Sequence, residues 1–449
     1  MSCRMEHTFL STRRRFLRNS VGAALAAPYV TSGLRAVSPN GKLRHASFGA
    51  SGMAWADIQS LTASEHVELA AVADVDARRL GEVKAAFPGV HVYADWRELL
   101  EHEGERIDTV NVSTPDHMHG PIALAAMGLG KHVYCQKPLA QNLAECRLMR
   151  ETASKKGVMS QMGIQVSSMF TERLAVQLVR DGVIGKVKEV HTFSEKQWGD
   201  PAPRPQRSDP VPEGLDWDLW LGVATERPYL EGYYHPGAWR KRRDFGTGTL
   251  GDMGCHIFSG WFRALDLTAP RSVESFGPAS NAGNWAIDSR IEYVFPGTAQ
   301  TAEESVRVVW YDGAQRPPEE TGALVGGRVP GQGSILIGTE GVLLAPHMET
   351  PKLYPEDKHQ GFRFPRLEPR DHYLEFVESC RTGQAGPSAA FDYSGPLTEA
   401  VLLGCLSTLF AGQRLDWDAG RMEITNQEEA NAQVRRVYRD GWAPEGLAG

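Results

Sequence analysis

The sequence predicts an α/β protein of two domains, an N-terminal doubly wound parallel sheet followed by a C-terminal α/β domain with an open, largely antiparallel sheet. Strand and helix patterns alternate from residue 43 to about 163, which is typical of a parallel sheet covered by helices. The alternation stops near residue 165, and strand-like runs dominate from 272 to 344. A chain of 449 residues is long enough to give each domain a full core.

These changes in pattern set the predicted boundaries. The first domain is expected over 39–163 and the second over 164–449, with the last helices packing back on the first domain. Within the first domain, strands are predicted at 43–48, 67–73, 91–93, 108–112, 132–135 and 158–162, and helices at 53–61, 76–86, from 96 onwards, 122–127 and 143–155. The carboxyl ends of such strands form the edge where ligands bind.

The second domain opens with a loop, because five prolines fall within Pro201–Pro212. Thr339-Glu340-Gly341 has the composition of a hairpin turn. Strands are predicted at 291–295, 306–311, 334–337 and 342–344, and helices at 371–380 and 397–409.

Composition and charge narrow the class of protein. A formal net charge of -7 argues against nucleic acid as a partner. No stretch is long and apolar enough for a spanning helix, so no integral membrane association is expected. Residues 1–38 are predicted to be a targeting segment, because Arg13-Arg14 precede Phe16-Leu17 and a short apolar run, as in twin-arginine export signals. A periplasmic or otherwise exported protein is expected; the alternative is a basic disordered tail.

The turn after the first predicted strand is typical of a dinucleotide site. Gly49-Ala50-Ser51-Gly52-Met53-Ala54 keeps small residues where a pyrophosphate approaches the backbone. Asp74 ends the second strand, where a carboxylate binds the ribose hydroxyls and favours NAD. Arg78 and Arg79 follow closely, so NADP stays open. Asp76 fits the alternative role of a helix N-cap better than Asp74. The predicted cofactor-binding residues here are Gly49, Ser51, Gly52, Met53 and Asp74.

Two further segments lie at the same predicted edge. The loop Ser113-Thr114-Pro115-Asp116-His117-Met118-His119 follows the fourth strand, and Gln136-Lys137-Pro138 follows the fifth. A neutral lysine beside a nicotinamide could accept the proton of a substrate hydroxyl; the alternative is a solvated surface lysine. No metal is expected, because alternate histidines in a turn rarely converge. The cofactor set therefore adds Ser113, Thr114, Pro115, His117, His119, Gln136, Lys137 and Gln165.

The second domain contributes an acid and a histidine four residues apart. Asp252 and His256 share one face of a predicted helix, and with Lys137 they form the predicted catalytic set. The alternative for Asp252 is a carboxylate that caps the helix, and the alternative for His256 is a core histidine whose ring nitrogens are hydrogen-bonded within the protein. An aromatic and basic cluster precedes this helix, and aromatic faces pack well on sugars. The predicted substrate-binding residues are Trp198, Tyr234, His235, Trp239 and Arg240.

The chain from about residue 43 onwards resembles the glucose-fructose oxidoreductase, inositol dehydrogenase and rhizopine catabolism family. The resemblance rests on Lys137-Pro138, the 113–119 loop and the segment Gly251 to His256. It implies a Rossmann domain, NAD or NADP as cofactor, sugars or polyols as substrates, and proton transfer by Lys137 beside Asp252 and His256. The sequence departs from the family where Gln136 replaces a usual glutamate. The export signal places the chain in an exported subgroup.

Three functions are compatible with these features. The first is an NAD(P)-dependent oxidoreductase acting on CH-OH groups of a sugar, glycoside or polyol. The second is a glycoside hydrolase that oxidises a ring carbon transiently, eliminates and reduces back. The third is a non-catalytic sugar- or NAD-sensing protein. An exported enzyme meets little free cofactor, so tightly bound NAD is expected, and a homo-oligomer, dimer or tetramer, is expected as well.

Overall fold

The computed structural model describes residues 41–384 and 386–447, so the predicted targeting segment lies outside the described residues. The first sheet has six parallel strands in the order β3-β2-β1-β4-β5-β6. This order, which reverses direction between β1 and β4, confirms the predicted doubly wound sheet. The strands are β1 Leu43–Phe48, β2 Val67–Ala73, β3 His91–Tyr93, β4 Thr109–Val112, β5 His132–Cys135 and β6 Ser160–Met162.

Helices connect these strands and cover the sheet. They are α1 Met53–Thr62, α2 Ala77–Ala86, α3 Trp96–Glu103, α4 His119–Gly128 and α5 Leu143–Lys156. Polar side chains begin three of them: Asp76, Asp95 and Asn142 accept hydrogen bonds from backbone N–H groups at the starts of α2, α3 and α5. Asp76 is therefore the N-cap, as predicted.

The second sheet has nine strands in the order β13-β12-β11-β7-β10-β9-β8-β14-β15. Among the described strands only the β7–β10 pair is parallel, so the sheet is mixed and largely antiparallel. The turn 339–341 joins β11 to β12 as a hairpin, as predicted. The strands are β7 Val187–Ser194, β8 Ser272–Phe276, β9 Arg290–Pro296, β10 Ser305–Asp312, β11 Gln332–Gly338, β12 Val342–Pro346, β13 Lys352–Tyr354, β14 Arg414–Asp418 and β15 Glu423–Ile424.

The helices of the second domain lie against this sheet and against the first domain. They are α6 Phe170–Arg180, α7 Trp217–Leu221, α8 Gly248–Ala264, α9 Glu319–Ala323, α10 His372–Thr382, α11 Phe391–Ser407 and α12 Glu428–Asn431. In the part of the chain described, no helix combines the length and the hydropathy that crossing a bilayer requires.

One predicted boundary was wrong. The sequence pattern starts a helix at Leu397, directly after Pro396, but α11 begins at Phe391 and continues through that proline. Proline removes only the hydrogen bond to the carbonyl of Asp392, and Asp392 is exposed at the helix start. The buried residues on both sides, including Phe391 and Leu397, outweigh the local preference.

Helix α11 makes one of the contacts between the second domain and the first. It packs against α5 of the first domain and against α8 of the second. Between α5 and α11, Arg147 donates two hydrogen bonds to the buried carboxylate of Glu399, at 2.6 Å and 2.8 Å. Nearby, the exposed pair Arg150–Asp392 joins the same two helices at 3.6 Å.

We predict that Glu399→Ala destabilises the protein by about 2–4 kcal/mol, because the Arg147 guanidinium would remain partly buried without its partner. Asp392→Ala is the matched control, since it removes an exposed pair between the same helices and should cost less than about 1 kcal/mol. Chemical denaturation of the three proteins measures both. Equal losses would show that the bidentate pair does not hold the domains together.

Candidate active site

A cleft of about 990 Å³ opens at the carboxyl edge of the first sheet. The turn after β1, the end of β2 and the loops after β4 and β5 form its floor, while α7, residues 235–240 and the start of α8 form the facing wall. Thus both domains build it. Of the predicted cofactor residues, all line the cleft except Gln165, whose amide instead donates to the hydroxyls of Tyr134 and Tyr373.

The turn after β1 has the shape of a cradle for phosphate. Gly49 has φ +105, and a Cβ there would lie 2.9 Å from both the Ala54 Cβ and the Ser113 carbonyl oxygen. Gly52, with φ +58, begins α1, and no side chain caps its first N–H groups. Open N–H groups at a helix start bind anions. The residues present therefore fit the pyrophosphate of a dinucleotide.

The end of β2 presents a carboxylate to the cleft. Asp74 accepts hydrogen bonds from the backbone N–H groups of Ala50 and Asp76, and burial raises its pKa to about 6. Arg78 is held away by a bidentate pair with Asp76, at 2.8 Å and 2.7 Å. Arg79 lines the cleft, 2.8 Å from Glu82.

A buried acid that the sequence reasoning missed lies behind the cleft. Asp57, on α1, accepts hydrogen bonds from Ser113 Oγ at 2.7 Å, Gln136 Nε2 at 2.9 Å and Tyr373 Oη at 2.8 Å. Burial raises its pKa to about 6. Its signal was an acidic residue on the apolar face of α1, beside Ile58 and Leu61. Asp57 fixes two side chains of the cleft wall, including Gln136, which replaces the usual glutamate.

The two histidines of the loop after β4 are structural. His117 Nε2 lies 3.1 Å from the Trp220 carbonyl oxygen, and burial lowers its pKa to about 3. His119 lies between the carbonyl oxygens of Pro138, at 2.7 Å, and Thr114, at 2.9 Å; burial lowers its pKa to about 4, so whichever nitrogen carries the proton donates. His119 thereby holds the loop against the segment that carries Lys137.

Lys137 reaches across the cleft to the second domain. Its Nζ donates to Asp252 Oδ1 at 2.7 Å and to the Asp252 carbonyl oxygen at 2.8 Å. Arg240 Nε lies 3.3 Å from the same carboxylate, and Lys196 Nζ lies 3.5 Å from it. Burial opposes ionisation of Asp252, but the three cations outweigh it and hold its pKa well below the ordinary value. Sequence reasoning missed Lys196, which lies two residues beyond the end of β7.

A second acid, Asp116, lies close to this group. It is buried and accepts a hydrogen bond from Thr247 Oγ1 at 2.7 Å. Burial raises its pKa to about 7, with Arg240 and Lys137 acting in the opposite direction. Asp116 therefore carries only part of a negative charge near neutral pH.

His256 lies one turn beyond Asp252 but opens into another space. It lines a smaller cavity with Glu172, His347 and Glu349, and its ring lies 6.0 Å from that of His347. Its Nδ1 is buried and has no partner among the described residues. Burial, with Lys137 next, lowers its pKa well below the ordinary value. The structure thus brings Lys137 and Asp252 together and leaves His256 outside the cleft.

Of the five predicted substrate-binding residues, three line the cleft and two do not. His235, Trp239 and Arg240 line the cleft. Tyr234 is buried in an aromatic cluster with Trp220 and Phe245, where its hydroxyl accepts from Arg204. Trp198 lies behind Arg240, whose guanidinium is 5.6 Å from its ring centre and 4.3 Å from that of Trp239.

Comparison with known proteins assigns the family. Residues 43–164 match the oxidoreductase family with an NAD-binding Rossmann fold, and residues 178–305 match the C-terminal alpha/beta domain of the same family. Together these matches cover more than half of the chain, and the chain belongs to this family. The family predicted from Lys137-Pro138 and the segment 251–256 is confirmed, and the first domain is an NAD-binding Rossmann fold.

Individual relatives share parts of the chain. It is 26% identical to the levoglucosan dehydrogenase of Pseudarthrobacter phenanthrenivorans, over 44% of this chain and 40% of that protein. It is 29% identical to the alpha-N-acetylgalactosaminidase of Shewanella oneidensis, over 40% of this chain and 42% of that protein. The chain thus spans less than half the length of these curated relatives. The WlbA dehydrogenase of Bordetella pertussis, solved with NADH and UDP-GlcNAcA, has the same fold: the TM-score is 0.58 at 16% identity, over 84% of this chain and 98% of that chain.

We predict that Asp116→Asn stabilises the protein more at pH 8 than at pH 5. The folded-state pKa of Asp116 is about 7, above its unfolded value, so the folded protein loses stability as pH rises through this range. Asparagine still accepts from Thr247, and the gain at pH 8 should be on the order of 2–4 kcal/mol. Denaturation at both pH values measures it, with the exposed Asp357→Asn as control. A gain that does not depend on pH would contradict the prediction.

Proposed function

We propose that the protein is an NAD-dependent oxidoreductase that transfers a hydride to or from a hydroxyl-bearing carbon of a sugar, glycoside or polyol. The observation that carries the proposal is the position of Lys137. Its Nζ stands where the dinucleotide cleft meets the second domain, 2.7 Å from Asp252. The uncapped start of α1 and the Gly49 turn supply the cradle for the cofactor. The sugar and polyol class rests on family membership and on the relatives.

The chain's own residues would divide the proton chemistry as follows. Bound NAD supplies the hydride acceptor or donor. Lys137 first loses one ammonium proton to solvent, and its neutral amine then accepts the proton of the reacting hydroxyl; in the reverse direction the ammonium returns it. Asp252 holds its proton too weakly to act as the base, so its part is to orient the Lys137 Nζ. His119 keeps the Lys137 segment in place through the Pro138 carbonyl.

Export and tight cofactor binding are part of the same proposal. If Arg13-Arg14 direct a folded protein out of the cytoplasm, its cofactor must stay bound and be regenerated during turnover. The hydride then passes to a second carbonyl, to a partner or back to the same substrate. A dimeric or tetrameric assembly stays a prediction.

One relative supports a second candidate function. The similarity to an alpha-N-acetylgalactosaminidase is compatible with a glycoside hydrolase that oxidises a ring carbon, eliminates the aglycone and returns the hydride. The two candidates differ in their requirement for an external electron acceptor.

We predict that Lys137→Met abolishes turnover, by about 10²–10⁴-fold or more, while NAD binding changes little. Lys137→Arg should be equally inactive although it keeps the ion pair with Asp252, because guanidinium does not give up its proton. Product formation is assayed on a panel of sugars and glycosides without added NAD, and NAD binding is titrated in parallel. Retained activity in either variant would place the base elsewhere.

The same assay separates the two candidates when it is run with a second sugar carbonyl, with an artificial electron acceptor, or with neither. Repeated turnover with neither favours the hydrolase cycle. A requirement for a continuous supply of free NAD would contradict the closed cycle.

We predict that the protein binds NAD at least about tenfold more tightly than NADP, because the Asp74 carboxylate repels a 2′-phosphate. Asp74→Asn removes that charge, and Asp76→Asn keeps the helix cap but releases Arg78; both should narrow the preference. Asp95→Asn is the matched control, since Asp95 caps α3 and holds Arg97 in the same manner. The dissociation constants of NAD and NADP are measured for the wild-type protein and the three variants. Tighter binding of NADP than of NAD by the wild-type protein would contradict the role assigned to Asp74.

A further inference from the structure

An unbalanced cluster of charge surrounds Asp252, where the cleft ends. Lys137, Arg240 and Asp252 line the cleft, and Lys196 lies just beyond its lining. Lys137, Arg240 and Lys196 surround the single carboxylate of Asp252, at 2.7, 3.3 and 3.5 Å. Three cations against one anion leave an excess of two positive charges. Asp116, the neighbouring acid, offsets this only in part, because burial raises its pKa to about 7.

The nearby acids outside this cluster have cationic partners of their own. Asp200 is paired with Arg242 at 2.7 Å, and Asp76 with Arg78 at 2.7 Å. Among the described residues, Arg240 and Lys196 have no ion pair other than the one that each makes with Asp252. An excess of like charge in one place is costly unless a ligand relieves it.

Two of the three cations retain free donors. Arg240 lies 30% exposed, and its Nη1 and Nη2 donate no hydrogen bond to any described residue. Its guanidinium carbon lies 4.3 Å from the ring centre of Trp239 and 5.6 Å from that of Trp198. Lys196 is 44% exposed, and its Nζ makes only the 3.5 Å ion pair with Asp252 within the described chain. Because Arg240 Nε faces Asp252, the Nη1–Nη2 edge of the guanidinium is the one that stays open, and such an edge binds a carboxylate or a phosphate bidentately.

We propose that the substrate of this cleft is an anionic carbohydrate, whose acidic group binds Arg240 and Lys196 while its reacting hydroxyl lies at Lys137. The proposal rests on the function proposed above, because oxidised NAD brings a further positive charge to the same end of the cleft. A sugar carboxylate and a sugar phosphate share the required chemistry.

Matched substrate pairs test this on the NAD-loaded protein. Methyl glucoside is compared with its uronide and glucose with glucose 6-phosphate, together with the corresponding galactose and mannose pairs. The anionic member of at least one pair should have a kcat/KM about tenfold higher or more, falling as salt rises. The uronide and phosphate arms distinguish the two sources of charge. Binding of each compound to the NAD-loaded protein is measured alongside, so that a non-reacting ring still reports the charge preference.

Lys196→Gln supplies the test within the chain. It should raise KM for the anionic member by about tenfold relative to any change in KM for the neutral member. Lys188→Gln is the matched control, since Lys188 is exposed at the other end of β7. The proposal is overturned if neutral members bind and react as well as anionic ones, or if Lys196→Gln affects both classes equally. Turnover confined to neutral sugars would overturn the anionic-substrate proposal and would leave the oxidoreductase proposal intact. Absence of NAD binding, or of any redox reaction, would count against the oxidoreductase proposal instead.

Discussion

The ion pair between Lys137 and Asp252 is the contact on which the geometry of the cleft depends. Lys137 follows β5 of the first sheet, and Asp252 lies in α8 of the second domain, so the pair spans the interface between them. Both side chains are largely withdrawn from water, and a charge in such a place requires a partner. The two domains must therefore meet in one arrangement for either charge to be satisfied. Helix α11, bound to α5 through Arg147 and Glu399, supplies a second ion pair between the same two domains.

Burial raises the pKa of every acid around the cleft, but at Asp252 three cations outweigh burial and the net shift is downward. Burial raises the pKa of Asp57 and Asp74 to about 6 and that of Asp116 to about 7. These three carboxyls accept hydrogen bonds from backbone or neutral side-chain donors, which stabilise an anion less than a full positive charge does. Asp252 alone among these four has cations at contact distance, and it keeps its charge. Accordingly, positive charge is in excess around Asp252, where the chemistry is proposed.

Local patterns in the sequence were sufficient to predict most of the helices and strands and the order in which they form the first sheet. The parallel sheet follows from short apolar runs between helical segments, and the glycine turn, Asp74 and Lys137 all lie at its carboxyl edge because connectivity places them there. Apart from the grouping of Lys137 with Asp252 and His256, the sequence did not predict which residues far apart in the chain contact one another. Asp57 and Gln136 are 79 residues apart, and Lys196 lies 56 residues from Asp252, so no spacing rule connects them. His256 is the clearest example of what the sequence did not determine. A spacing of four residues predicts that His256 and Asp252 share a helix face, but it does not predict which cavity His256 borders.

The position of His256 also bears on how the charges work together. With His256 outside the cleft, Lys137 and Asp252 are the predicted catalytic groups that face the dinucleotide site. Asp252 holds the Lys137 Nζ, yet it shares its own charge with Arg240 and Lys196. An anionic substrate that bound those two cations would leave Asp252 to Lys137 alone and tighten the pair that orients the base. Substrate recognition and proton transfer would then be coupled through the Asp252 carboxylate. Asp252 positions the Lys137 base, and the charge of the substrate would draw Arg240 and Lys196 away from Asp252.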